Sequence, residues 1–159
     1  MSYKVAHVAN TIVKQALRDG IEITPLKLQK LLYFFYVTYK SRTGRKLFDD
    51  SFEVWDYGPV VPIVYFSYKN RKDSTAPIKE YMCEENGDTL LLDLTEDSPE
   101  RRAFFDMWGK CSALTGTELS KLTHTEGSAW YKAYQADRKE LDEADISGDY
   151  RLMSDCRGA

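Results

Sequence analysis

The sequence predicts a mainly α-helical domain carrying a small β-hairpin. Three observations carry that expectation. Apolar side chains recur at intervals of three and four residues over long stretches, several of those stretches open on a hydroxyl residue followed by proline, and strand-like alternation is confined to short segments beside Asn-Gly and Gly-Pro pairs. With 159 residues of ordinary globular composition, residues 1–159 read as one compact domain.

The first helix is expected over residues 3–18, where Val5, Val8, Ala9, Ile12 and Ala16 make one apolar stripe and Gly20 supplies the stop. Thr24-Pro25 opens the second. The threonine hydroxyl accepts from an orphan backbone N–H, proline at the first helical position lacks the N–H it would leave unpaired, and Gly44 ends the run. Leu28, Leu31, Leu32, Phe35 and Tyr39 form its main stripe, widened by Leu26, Tyr33, Phe34, Tyr36 and Val37 until little polar face remains. A helix of that kind needs neighbours on several sides, so it is the expected centre of the fold.

Residues 52–57 alternate apolar and acidic side chains and suit a short strand or extended arm, broken by Gly58-Pro59. Pro62 opens a helix to about Asn70, with Ile63, Phe66 and Tyr65 facing inward. The hairpin is expected between residues 78 and 94, turning at Asn86-Gly87-Asp88. Ser98-Pro99 begins a helix carrying Ala103, Phe104, Met107, Trp108 and Cys111. Thr117-Glu118-Leu119 begins a short one after Gly116, and Ser128 caps another that places Trp130 in the core. The tail is expected to form a final turn or two over residues 149–156 and to fray over residues 151–159.

No stretch has the length and apolarity to span a bilayer and the first residues lack a signal-peptide pattern, so the expected location is the cytoplasm. Three scattered cysteines and two histidines, without CxxC or HExxH, point to no metal and to reduced thiols; no cofactor is expected. Charge is uneven: residues 1–80 hold 13 Lys/Arg against 8 Asp/Glu, and residues 81–159 hold 9 against 17. Either the two halves complement each other, or Lys40, Arg42, Arg45, Lys46, Lys69, Arg71 and Lys72 form a basic patch for an acidic partner. A pI near 5.5 disfavours nucleic acid.

Only one set of residues invites a catalytic reading. His124, beside Thr123, Thr125 and Glu126, has an ordinary pKa near ~6.5 and the neighbours of a general base. Yet no nucleophile is marked, no GxSxG is present and the glycines form no phosphate-cradling loop. The same imidazole suits a helix end, where it bonds a terminal carbonyl. The expectation is therefore no catalytic residue and no enzyme.

WDYGPVVPIVY, residues 55–65, is the richest segment for contact with another macromolecule. Trp55 and Ile63 are assigned to the core. Tyr57, Tyr65 and Tyr68, with Lys69 and Arg71 beyond, are the candidate partner-binding residues, because tyrosine offers much contact area at little rotamer cost.

Three blocks in order, ITPLKLQKLLYF (23–34), FEVWDYGPVVPIVY (52–65) and LSKLTHTEGSAW (119–130), resemble the Panacea domain, the family of SocA-like antitoxins also found in phage-associated proteins. The resemblance spans roughly residues 5–150. Members commonly carry proline just before the tryptophan of the third block, where this chain has Ala129, which leaves the approach angle at Ser128 less fixed. The resemblance implies an antitoxin that binds and neutralises a protein toxin encoded beside it. The alternative it implies is a phage or mobile-element effector engaging a host protein, either a defence enzyme or a protease.

Overall fold

A computed structural model describes residues 2–73, 75–83 and 86–156. Its helices are α1 (Val5–Asp19), α2 (Pro25–Thr43), α3 (Pro62–Tyr68), α4 (Pro99–Cys111), α5 (Gly116–Thr123), α6 (Ala129–Gln135) and α7 (Glu143–Ile146), followed by a 3-10 helix, Ser147–Cys156. Strands β1 (Glu53–Trp55) and β2 (Gly58–Val60) make one antiparallel ribbon, so the protein is mainly α with minor β.

The centre is α2. Thr24 caps it by accepting from the Lys27 N–H, Pro25 sits at its start, and Gly44 ends it in the left-handed region at φ 73°. Every residue from 27 to 39 is buried, because α1, α3, α4, α5, the ribbon and the 3-10 helix surround the cylinder. Its tyrosines bury their rings and send their hydroxyls to carboxylates: Tyr33 donates to Asp149 at 2.6 Å and Tyr36 to Glu143 at 2.6 Å. Both acceptors lie near the C-terminus, which is thereby fastened to the core.

The predicted ribbon is displaced. Gly58-Pro59 does not break the first strand; it begins the return strand, with Trp55 opposite Gly58 and Val54 opposite Pro59. Proline is tolerated because this pair faces outward: Val54 donates its N–H to Lys139 at 2.8 Å, so the missing proline N–H would have had no ladder partner. Between residues 78 and 94, by contrast, no described residue is in a strand. Side chains of α1 take the backbone bonds a hairpin would use: Asn10 donates to the carbonyls of Met82 and Leu90 and accepts from Met82 N–H, and Thr11 accepts from Leu92 N–H. Glu84 and Glu85 lie outside the described residues.

Three further expectations are corrected. In α3 the inward residues are Val64 and Tyr68, while Ile63 and Phe66 are each 54% exposed. Double bonding of Val61 to the Gln29 amide sets the rotation at which α3 begins. Helix α5 starts at Gly116, capped by Thr115 in a reciprocal capping box with Glu118. The final turns expected over residues 149–156 are present in the 3-10 helix, but the segment does not fray from residue 151: it is held in the core as far as Met153, with Asp149, Leu152 and Met153 all buried; residues 157–159 lie outside the described part of the chain.

Candidate functional site

The three motif blocks meet at one place. The ribbon turn, Asp56-Tyr57, projects between the start of α2 and the α5–α6 junction, and its backbone is gripped from three helices through alternate carbonyls. Trp130 of α6 donates its indole N–H to the Trp55 carbonyl at 2.8 Å, Ser120 of α5 its hydroxyl to the Tyr57 carbonyl at 2.6 Å, and Lys30 of α2 its ammonium to the Pro59 carbonyl at 2.8 Å. The grip is tight at Gly58. Its φ is 111°, and a Cβ there would sit 2.5 Å from Thr123 Oγ1 and 2.8 Å from Lys30 Cε. Only glycine fits both the angle and the space.

Lys30 is wholly buried, and loss of water around its ammonium pulls its pKa from 10.5 down to about 7. His124 lies against Trp130, with ring centroids 4.1 Å apart, and its Nε2 is buried without a hydrogen-bond partner. Burial lowers its pKa, the charge of Lys30 lowers it further, and the backbone of Asp56 opposes both. Glu126 is exposed beside a shallow depression with Tyr131 and Lys132, so the two residues of the catalytic reading have unlike surroundings.

Behind this junction Asp149 is 1% exposed and accepts from the Tyr33 hydroxyl and the Ala129 N–H. Desolvation raises its pKa despite those bonds. Ser128 caps α6 through Tyr131 N–H and donates to the Thr123 carbonyl. The approach to α6 is thus fixed without a proline, and Ala129 supplies an N–H that proline would lack.

Beside the turn lies an open groove of about 420 Å³ with largely apolar walls. Pro25, Leu26 and Gln29 of α2 form one side; Trp55, Asp56, Tyr57 and Val60 of the ribbon and Tyr65 of α3 form the other. The Gln29 amide is occupied by Val61, and the Trp55 and Tyr65 rings meet edge to face at 4.8 Å. The walls are consequently held in place before anything binds.

Of the sequence-derived candidates, Tyr57 is 68% exposed at the tip and Tyr65 is half-buried in the groove wall. Tyr68 is 3% exposed and donates to the Glu80 carbonyl, placing it inside the molecule. Lys69 is exposed with its ammonium 5.2 Å from the Phe66 ring centroid, whereas Arg71 is tied down by the Ala76 and Pro77 carbonyls and by Glu80. The basic-patch reading weakens further because Lys40 pairs with Glu143 and Arg42 with Asp106, joining the basic half to the acidic half. Trp55, expected in the core, is half-exposed. Residues the sequence reading missed are Asp56, Gln29 and Lys30; a lysine in a helix that is apolar around much of its circumference was the available signal for the last.

Geometry of this kind defines a helical scaffold that presents one backbone-gripped aromatic turn beside a preformed groove. The family model described as Antitoxin SocA-like, Panacea domain, matches residues 28–131, more than half of the chain and all of the groove except Pro25 and Leu26. The chain belongs to this family. Antitoxin SocA of Caulobacter vibrioides is 45% identical over 58 residues, which are 36% of this chain and 31% of that protein. The match therefore spans less than a third of that curated relative. No solved structure matches the chain. Among the described residues no helix is long and apolar enough to cross a membrane, and no group of three or more His, Cys, Asp or Glu is placed to hold a metal.

Proposed function

We propose that this chain is an antitoxin that binds a protein toxin directly and neutralises it by occlusion, with no bond-making of its own. Family membership supports the antitoxin role. The observation that carries the contact surface is the turn: Tyr57 stands 68% exposed on a backbone held from three helices, next to an open apolar groove. Preorganisation of that kind removes the ordering cost that otherwise weakens association. The toxin is expected from an adjacent gene, within the same cytoplasm.

The test is co-expression with the product of each neighbouring reading frame, followed by growth measurement and tandem-affinity purification. One neighbour should arrest growth alone and lose its toxicity, while co-purifying, when this chain is present. Absence of any such neighbour, or rescue without a stable complex, overturns the proposal. Alanine at both His124 and Glu126 should leave rescue intact; loss of rescue by a folded double variant would favour chemistry over occlusion.

A further inference from the structure

Resting on the antitoxin reading, we propose that the groove seats an aliphatic or aromatic side chain of a partner segment that carries Lys or Arg within one helical turn, the cation resting on Asp56. The apolar part follows from the walls: Leu26, Trp55, Val60 and Tyr65 surround a space of about 420 Å³, large enough for a bulky side chain with part of its neighbour. The rim continues the same chemistry at Tyr57, which is 68% exposed.

The charge requirement follows from Asp56. It is the one acidic or basic residue lining the groove, it is exposed, and among the described residues it forms no ion pair. Basic side chains on α2 and at the end of α3 are engaged elsewhere: Lys30 holds the Pro59 carbonyl, Lys27 holds the Ser112 carbonyl and Lys69 lies over Phe66, while His124 meets the backbone of Asp56. An anionic partner segment would face an uncompensated carboxylate in an apolar setting, whereas a cationic one completes it. The ribbon itself offers little for strand addition, because β1 is flanked by residues 139–141, Lys30 holds the Pro59 carbonyl of β2 and Gln29 holds both backbone groups of Val61 just beyond it. Recognition therefore rests on side chains.

The probe is a phage-displayed library of random dodecapeptides, selected on the purified full chain. Enriched peptides should share an aliphatic or aromatic residue with a Lys or Arg within three or four positions of it. On Asp56→Asn the apolar residue should persist, the basic preference should vanish, and affinity for a wild-type-selected peptide should fall about fivefold. Tyr65→Lys, which supplies the cation internally and fills the groove, should abolish enrichment; Tyr57→Ser, at the exposed tip, gives a weaker loss with minimal risk to folding, and far-UV circular dichroism checks both. Enrichment of acidic peptides, no enrichment on the wild type, or the same peptides on folded Tyr65→Lys would overturn the inference. Because selection uses no toxin, failure here beside a toxin that still co-purifies removes the groove and leaves the antitoxin role standing. The reverse result removes the role alone.

Discussion

Replacing Lys30 by Met should flatten the pH dependence of stability between pH 8 and 9.5. The folded protein holds this ammonium without water at a pKa of about 7, against 10.5 for the unfolded chain. In that window the unfolded state carries the proton and the folded state does not, so unfolding takes up a proton and stability rises with pH. The contribution is greatest above the unfolded value and is lost as pH falls towards the folded one. About 0.9 proton per molecule at about 1.4 kcal/mol per pH unit gives a slope near 1.2 kcal/mol per unit, or about 2 kcal/mol across the window. Other shifted groups cancel in the comparison: Lys27 is depressed in both proteins, and Tyr3, Tyr33, Tyr36 and Tyr68, all raised by burial, oppose the trend in both as pH approaches 10. Urea unfolding at several pH values reads the effect as a midpoint that climbs by about 1 M in the wild type beyond any change in the variant. Parallel curves would mean that the ammonium keeps its proton when buried, and would refute the reasoning.

Gly58→Ala meets both a forbidden angle and two occupied positions, so it should cost about 2–4 kcal/mol in chemical denaturation, whereas adding Thr123→Ala relieves only the shorter contact. Ala129→Pro should destabilise by about 1–3 kcal/mol, because the N–H it deletes serves buried Asp149 at 3.1 Å; a rise in melting temperature would contradict this. Asp149→Ala should cost about 3 kcal/mol by leaving the Tyr33 hydroxyl and that N–H buried without acceptors. Combined with Tyr33→Phe, it should cost less than the two single changes added, which a double-mutant cycle measures directly.

Much of the helical frame is legible because its causes are local. Thr24-Pro25, Ser98-Pro99 and Ser128 each cap the helix that follows them, and apolar residues around much of the cylinder at residues 26–39 call for a helix with neighbours on several sides. The ribbon was misplaced because its decisive bonds come from afar. Asn10 and Thr11, more than seventy positions upstream, take the backbone groups of Met82, Leu90 and Leu92, and Lys139 accepts the outward N–H of Val54. Local alternation carries no trace of such partners. The candidate site divides the same way: exposure at Tyr57 followed from its place in a turn, while the fate of Tyr68 and Ile63 depended on a helix rotation set by Gln29. Asp56 was invisible as a site residue because an acid in a turn has every reason to be merely solvated.

The way the turn is held bears on which parts of it the fold fixes and which it leaves to vary. The three donors, Trp130, Ser120 and Lys30, all bond to backbone carbonyls, at residues 55, 57 and 59. Every residue type has that carbonyl, so the fold constrains where the tip stands and leaves the side chains at 56 and 57 nearly free. Changing Asp56 and Tyr57 together to serine should therefore leave stability within about 0.5 kcal/mol, because both are exposed and neither side chain bonds the scaffold. Trp130→Phe, at a residue only 7% exposed, should cost about 1–3 kcal/mol by leaving the Trp55 carbonyl without its donor. The contrast is measured by thermal melts of the two variants alongside partner binding: the first should lose binding with its melting temperature unchanged, the second should lose stability first. A large loss of stability in the serine pair would mean that the tip side chains themselves hold the ribbon, and a surface tuned independently of its support would then be the wrong description.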